Sequence, residues 1–313
     1  MEAGTQAAGA APGVEPLGAA RRRWGEELIR ALLFAAAAVS VLTTVGIVFA
    51  LVEQSLPFFA DVGAKFLAFD DWSPLFEPPS FGVWQLLNGT FLITGIAILV
   101  AVPIGLGSAV YLSEYATPRV RKTVKPILEV LVGVPTVVFG YFALTFVTPT
   151  LLQDILKLEI GIFNALAAGL VMGMMIVPTI ASISEDSMRA VPNGLREGAF
   201  GLGGTKRQVA TRVVFPAAIS GIVASIVLGV SRGIGETMIV LVAAGLQPNY
   251  GIDPTQGYAT VTTFMGATAK GDNPSGTIGY ESIFACGLTL FVLTLLMNMV
   301  AIRFVRKYRE VYE

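Results

Sequence analysis

The chain has 313 residues, of which 54% are apolar and 14% are charged, whereas about a quarter of residues are charged in soluble domains. It has no histidine and Cys286 is its only cysteine, which excludes a histidine-ligated metal, a Ser-His-Asp triad, an internal disulfide and a cysteine metal cluster. The 21 basic and 22 acidic residues nearly cancel, so nothing indicates nucleic-acid binding.

The N-terminal residues, 1–20, are rich in Ala, Gly and Pro without apolar periodicity, which predicts a disordered tail. An apolar stretch at 31–52 follows a run of arginines. Its length matches the roughly 20 residues that a bilayer core requires and is about twice that of a signal-peptide apolar region. We predict a first membrane helix that is retained.

Six apolar runs have the length of a membrane-spanning helix, and they predict an all-α membrane protein. The predicted spans are about 31–52, 90–112, 126–148, 161–182, 217–246 and 282–302. Proline and glycine inside several spans are tolerated because neighbouring helices satisfy the freed backbone groups. Residues 21–313 are therefore expected to form one six-helix domain.

The distribution of lysine and arginine predicts the orientation. If the N-terminus is cytoplasmic, all of these residues fall in cytoplasmic segments except Lys65, Lys157, Lys270 and the intramembrane Arg232. Basic residues accumulate in cytoplasmic connections. We expect both termini, and the connection at 184–216, to lie in the cytoplasm.

The connection at 184–216 is a charged interruption between two apolar runs. Within it, Arg196–Pro216 reads REGAFGLGGTKRQVATRVVFP, with helix-favouring residues on both sides of clustered glycines. This pattern predicts a basic helix–turn–helix segment, here called the hairpin. Composition alone fits an ordinary solvated loop equally well.

The spacing of the hairpin residues resembles the EAA loop of ABC importer permeases. Glu197-Gly198-Ala199 precedes Gly203 by three residues, and Pro216 ends the pattern, with Gly198 in place of the first alanine. The resemblance implies that the hairpin inserts into a separate ATP-hydrolysing subunit. The residues expected to couple the two subunits are Glu197, Gly198, Ala199, Gly203, Lys206, Arg207 and Pro216.

Three ionisable side chains fall within the predicted spans. Glu129 follows Lys125 by four residues and is expected to pair with it or to snorkel. Arg232 and Glu236 lie near the middle of the fifth span, where a charge costs at least ~3 kcal/mol. Their spacing places them on one face of a continuous helix, towards the bundle interior or a water-filled path.

The chemistry of this pair favours an anionic ligand. A guanidinium presents a planar fork of donors to phosphate or carboxylate and stays charged at any relevant pH. Glu236 is expected to orient the fork when no anion is present. Arg232 and Glu236 are therefore the predicted substrate-path residues; the alternative is an ion pair that only fixes helix packing.

The segment around this pair, residues 231–240, reads SRGIGETMIV and resembles the S-R-A-I-G-E-T-M segment of phosphate ABC-transporter permeases of the PstC type. Residues 103–107 and 131–141 resemble the same family, so the likeness covers nearly all of 30–310. It implies a type I ABC importer permease domain in a bacterial inner membrane. The implied partners are a PstA-type sister permease, two copies of a cytoplasmic ATPase and an external phosphate-binding protein, with inorganic phosphate as substrate.

The hairpin does not provide a nucleotide site of its own. Gly204 stands where a P-loop requires lysine, so ATP and Mg are expected on the partner ATPase, and no cofactor and no enzymatic activity on this chain. Three alternatives remain at this point. They are a permease for another oxyanion such as molybdate or sulfate, the sister phosphate permease subunit, and an ATP-independent secondary anion transporter or channel. An intramembrane enzyme is disfavoured by the missing histidine and metal ligands.

Overall fold

A computed structural model describes residues 24–307 of the chain, except residues 75, 272, 273 and 275. The predicted tail, residues 1–20, lies outside the described residues. The chain divides into two compact units at the boundary between Ala50 and Leu51.

The first unit consists, in its described part, of the N-terminal half of helix α1 (Trp24–Val62). Its side chains from Gly25 to Ala50 are exposed or half-buried, including most of the large apolar ones. An apolar helix surface of this kind is expected where hydrocarbon takes the place of water.

The second unit begins with the end of α1 and a short 3₁₀ turn, Gly63–Leu67. Two short antiparallel strands follow, β1 (Trp72–Ser73) and β2 (Ser80–Phe81), with Trp72 opposite Phe81. The later helices are α2 (Trp84–Val110), α3 (Pro118–Val132), α4 (Thr136–Phe142), α5 (Ala165–Arg189), α6 (Asn193–Gly201), α7 (Lys206–Val209), α8 (Phe215–Ala217), α9 (Ile219–Ile234), α10 (Met238–Ala243), α11 (Val261–Thr268) and α12 (Ile278–Lys307). The π-helical segments Tyr111–Tyr115, Ala143–Ile155 and Ala210–Val214 extend α2, α4 and α7.

Five helical segments in the described part of the chain are long and apolar enough to cross a membrane. They are Gly25–Leu67, Trp84–Tyr115, Thr136–Ile155, Ala165–Arg189 and Ile278–Arg306. A sixth is obtained if Lys206–Ala217 and Ile219–Ile234, which are bent by 71° relative to each other, count as one span. This is the all-α membrane architecture that the sequence predicts.

The third segment begins later than the predicted span at 126–148. Residues 126–132 belong instead to α3, and the chain breaks at 133–135 before the spanning segment starts at Thr136. Pro135 explains the break, because proline lacks an N–H and disfavours helical geometry in the residue before it. Glu129 is thus exposed on α3, outside the spanning segments, and not inside a span as predicted.

The centre of the second unit is built from α2 and α5, which run side by side. A Cβ atom on Gly173 would lie 2.9 Å from the Ala97 carbonyl oxygen, so only glycine allows this approach. Ile93, Met172 and Ile176 are fully buried around the contact. Small residues at helix contacts are the usual means of close packing in membranes.

Two further apolar clusters lie at opposite ends of α2. One surrounds Phe58, Trp72 and Phe264 at the beginning of α2. The other joins Ala109 and Met188, at the ends of α2 and α5, to residues that follow the hairpin turn. The hairpin is therefore packed onto the same ends of α2 and α5.

Candidate functional site

The hairpin is a helix–turn–helix unit, as the sequence predicts. Helix α6 ends at Gly201, and Gly203 has a φ of +80°, a left-handed conformation that favours glycine. Thr205 caps α7 reciprocally: its hydroxyl accepts from the Gln208 N–H, and Gln208 Oε1 accepts from the Thr205 N–H.

The tip of the hairpin is exposed. Leu202 is 92% exposed, and Phe200 is 47% exposed. Among the residues predicted to contact an ATPase, only Ala199 is half-buried; Glu197, Gly198, Gly203, Lys206, Arg207 and Pro216 are exposed. The tip combines apolar and charged side chains, the composition expected of a protein-binding surface.

The base of the hairpin is fixed by Arg196. Its Nη2 lies 3.2 Å from Glu114 Oε1 and donates to the Met188 carbonyl at 2.7 Å. Its Nη1 donates to the Val191 carbonyl at 2.5 Å. The ion pair is largely buried, since the two side chains are 15% and 9% exposed. One guanidinium therefore connects α6, the end of α5 and the π-helical end of α2.

A second link joins the hairpin to α2. The Lys206 ammonium lies 5.0 Å from the centre of the Tyr115 ring, within the range of a cation–π contact. Val209 and Val214 are buried in the cluster that contains Met188. A displacement of the hairpin would consequently act on the ends of both α2 and α5.

The C-terminal end of α5 carries a buried carboxylate that the sequence analysis missed. The Glu185 side chain is fully buried; Lys125 Nζ donates to its Oε2 at 2.8 Å, and Arg121 Nε lies 3.0 Å from its Oε1. The latter contact is an ion pair without hydrogen-bond alignment, since Oε1 accepts no hydrogen bond. Lys125 also bonds Asp186, so its partners are on α5 and the predicted pairing with Glu129 is not formed.

The charges around Lys125 affect its protonation. Burial lowers the pKa of Lys125, but hydrogen bonds and charge attraction from Asp186 and Glu185 together outweigh burial and raise the pKa above 10.5. This network holds α3 against α5 through four charged side chains, Arg121 and Lys125 on α3 and Glu185 and Asp186 on α5.

Arg232 lies on the last turn of α9 and is half-buried. Its Nη1 donates to Thr179 Oγ1 on α5 at 3.4 Å. Among the described residues, no carboxylate oxygen lies within ion-pair distance of Arg232. The guanidinium is thus held against α5 without a carboxylate partner among the described residues.

Glu236 does not pair with Arg232 in the way that the sequence predicts. Helix α9 ends at Ile234, so Arg232 and Glu236 do not share the face of one continuous helix. The Glu236 carboxylate accepts from the Met238 and Ile239 N–H groups at 3.0 and 3.1 Å and thereby caps α10. A carboxylate at a helix N-terminus is stabilised by the free N–H groups there. Glu236 therefore orients the backbone after the break, and its place in the substrate path stays a prediction.

A buried hydroxyl lies next to this break. Thr94 on α2 is 5% exposed, and its Oγ1 has no hydrogen-bond partner among the described residues. A Cβ on Gly233 would lie 3.0 Å from Thr94 Cγ2, so the two residues are in direct contact. Buried polar atoms are usually hydrogen-bonded, which makes an unpartnered hydroxyl beside Gly233 a candidate contact for a ligand.

Sequence reasoning names Arg232 and the hairpin as candidates, whereas it does not point to Thr94, Thr179 or Glu185. Thr94 and Thr179 carry no pattern that separates them from other threonines in apolar runs. The apolar run ends near residue 182 and so predicts Glu185 outside the fourth span, whereas the helix continues to Arg189.

The chain matches a protein family over residues 101–310, described as the inner membrane component of binding-protein-dependent transport systems. It belongs to this family, and its helices make it a multi-pass membrane protein. The hairpin and the broken α9 are parts of a transport component.

Two relatives and one solved structure show how far the likeness extends. The chain is 32% identical over 286 residues to the probable ABC transporter permease protein YqgH of Bacillus subtilis, covering 90% of this chain and 91% of the relative. It is 33% identical over 285 residues to the phosphate transport system permease protein PstC of Mesorhizobium japonicum, covering 85% and 86% of the two chains. A bacterial alginate ABC transporter shares the fold with a TM-score of 0.62 at 16% identity, covering 94% of this chain and 100% of that one.

Proposed function

We propose that this chain is the PstC-type permease subunit of an ATP-driven phosphate importer in a bacterial inner membrane. The relatives include a protein named as a phosphate transport system permease, which supports phosphate as the substrate. The observation that carries the proposal is Arg232, a half-buried guanidinium at a helix break whose charge has no carboxylate partner in the described part of the chain.

Arg232 contributes to transport by binding an anion. Its guanidinium has no carboxylate partner among the described residues and is therefore available to a negatively charged substrate. Guanidinium binds phosphate through parallel charge-assisted hydrogen bonds. Thr179 orients the side chain from α5, and the free Thr94 hydroxyl can donate to a phosphate oxygen beside Gly233. Glu236 fixes the start of α10, which keeps the break open.

The hairpin carries the proposed coupling. Its exposed tip, with Glu197 and Leu202, would contact a cytoplasmic ATPase subunit that binds ATP and Mg, so that this chain itself catalyses nothing. Arg196 passes movement of the tip to the ends of α2 and α5. Since α5 holds Arg232 through Thr179, the ATPase and the anion site are joined by one continuous set of contacts.

The proposed assembly has four kinds of subunit, and both termini of this chain lie in the cytoplasm. A PstA-type sister permease completes the pore, two ATPase copies bind the hairpin side, and a phosphate-binding protein docks on the outer loops. Alternation between inward and outward access then follows ATPase closure.

The test is uptake of radiolabelled phosphate by proteoliposomes that contain the complete transporter, ATP and the external binding protein. Phosphate uptake that depends on ATP and on the ATPase subunit supports the proposal. Uptake of molybdate or sulfate but not phosphate would favour the oxyanion alternative. Phosphate movement by this chain alone, without ATPase, would contradict the proposal and favour a secondary transporter.

A further inference from the structure

A concave pocket of about 530 Å³ lies between α3 and the end of α5. Four of its lining side chains are basic: Arg121, Lys122, Lys125 and Arg189. Glu129 is its acidic lining residue. We name this surface the basic pocket.

The basic pocket has more positive charge than its acidic neighbours neutralise. Arg121, Lys125 and Arg189 share the buried Glu185 carboxylate, and Lys125 also pairs with Asp186. Lys122 is exposed and has no ion-pair partner among the residues that the structure describes. The charge pattern therefore fits an anion.

The residues of α3 around the pocket indicate that the helix lies at the membrane surface, where the available anions are lipid headgroups. The first half of α3 is basic, whereas its second half exposes Ile127, Val130 and Leu131. No residue of α3 is buried. Arg121, Lys122 and Lys125 also share one face of α3, opposite Ile127 and Leu131. A helix with a basic face and an apolar face lies in the membrane surface, between headgroups and acyl chains.

We propose that the basic pocket binds the phosphate group of an anionic phospholipid, with the acyl chains beside the apolar half of α3. Lysine and arginine side chains donate charge-assisted hydrogen bonds to phosphate oxygens. The inference rests on the proposed function in one respect, the side of the membrane. The end of α5 leads into the hairpin, which the proposed function places in the cytoplasm, so the lipid belongs to the cytoplasmic leaflet. Inorganic phosphate has the same chemistry as the headgroup and is the competing source.

The experiment is native mass spectrometry of the purified complete transporter, titrated with phosphatidylglycerol or with neutral phosphatidylcholine. Lys122→Gln removes one pocket charge without leaving Glu185 unpaired, and it should weaken retention of phosphatidylglycerol about fivefold. Lys122→Arg should retain it. Arg119→Gln is the matched control, since Arg119 is an exposed cation on the same helix that does not line the pocket.

Equal losses of phosphatidylglycerol retention in Lys122→Gln and Arg119→Gln would overturn the proposal, because they would show that the lipid is attracted to all the basic residues of α3 and not to the pocket. Equal retention of phosphatidylcholine and phosphatidylglycerol would overturn it as well. Inorganic phosphate that displaces phosphatidylglycerol, and that itself depends on Lys122, would contradict the lipid source and assign the pocket to free phosphate. Lipid retention is measured without ATP or transport, so it is read independently of whether the proposed function holds.

Discussion

The guanidinium of Arg196 and the carboxylate of Glu114 meet 3.2 Å apart, although 82 residues separate them in the chain. Arg196 belongs to the hairpin, and Glu114 to the π-helical end of α2. The same guanidinium binds the Met188 and Val191 carbonyls at the end of α5. The surface that would face an ATPase is thus connected by one side chain to the two helices at the centre of the protein.

Arg196→Ala should uncouple ATP hydrolysis from transport. The substitution removes a largely buried ion pair and two hydrogen bonds to carbonyls, and hydrogen bonds to charged groups contribute about 1.5–3 kcal/mol each. We expect phosphate uptake per ATP hydrolysed to fall about tenfold or more, while the ATPase still copurifies. The measurement is the ratio of uptake to hydrolysis in proteoliposomes.

Glu114→Gln tests the contribution of the ion pair alone, because it removes the carboxylate charge and leaves Arg196 hydrogen-bonded to the Met188 and Val191 carbonyls. Its effect should be smaller than that of Arg196→Ala, and the two should be non-additive in the double variant, as expected for residues in contact. Additive effects would show that the pair does not act as a unit.

Leu202→Ser should weaken binding of the ATPase subunit without destabilising the chain. Leu202 is 92% exposed at the hairpin tip, so its replacement loses no internal packing. If it fills an apolar site on the ATPase, we expect about tenfold weaker association, measured by titrating the ATPase onto the permease pair. Ile252→Ser is the matched control, since Ile252 is 86% exposed in a different loop, and its binding should be unchanged.

Thr94→Val should leave thermal stability nearly unchanged, because the Thr94 hydroxyl has no hydrogen bond to lose. If that hydroxyl donates to the substrate, phosphate uptake should nonetheless fall several-fold. The measurements are the melting temperature and the concentration dependence of uptake. A large loss of stability would indicate a hidden structural partner, and wild-type uptake would remove Thr94 from the path.

The raised pKa of Lys125 predicts how the stability of the folded protein depends on pH. Its pKa is raised in the folded state by Asp186 and Glu185, so the folded protein holds this proton more tightly than the unfolded protein. The stabilisation is therefore complete below about pH 10 and is lost as the pH rises through the folded-state pKa. The melting temperature difference between wild type and Lys125→Gln should stay constant from about pH 6 to 9 and shrink above about pH 10.5. A difference that grew at high pH would contradict this assignment.

The hairpin and the apolar spans could be predicted from sequence because their signals are local. Gly203 and the flanking helix formers define the turn, and runs of about 20 apolar residues define spans. The contacts of Arg196 could not be predicted in this way. Glu114 is distant in sequence, and no sequence pattern separates it from the other acidic residues of the connections between spans.

The break after α9 shows a different limit of prediction from sequence. A spacing of four places Arg232 and Glu236 on one face only while the helix continues, and the helix ends at Ile234. Gly233 and Gly235 have low helix propensity, which was a usable signal for the break. The capping of α10 by Glu236 depends on tertiary geometry, including the hydrogen bond from Thr262 Oγ1 to the Glu236 carbonyl at 2.7 Å.

The central claim is that the Arg232 guanidinium at this break, which has no carboxylate partner among the described residues, binds the transported anion. Its most direct test is phosphate uptake by proteoliposomes containing the complete transporter with Arg232→Ala, beside Arg232→Lys and wild type. We predict that the Arg232→Ala transporter assembles and hydrolyses ATP while uptake falls about 10- to 100-fold, with Arg232→Lys in between because it keeps the charge and loses the fork. Wild-type uptake by an assembled Arg232→Ala transporter would contradict the claim.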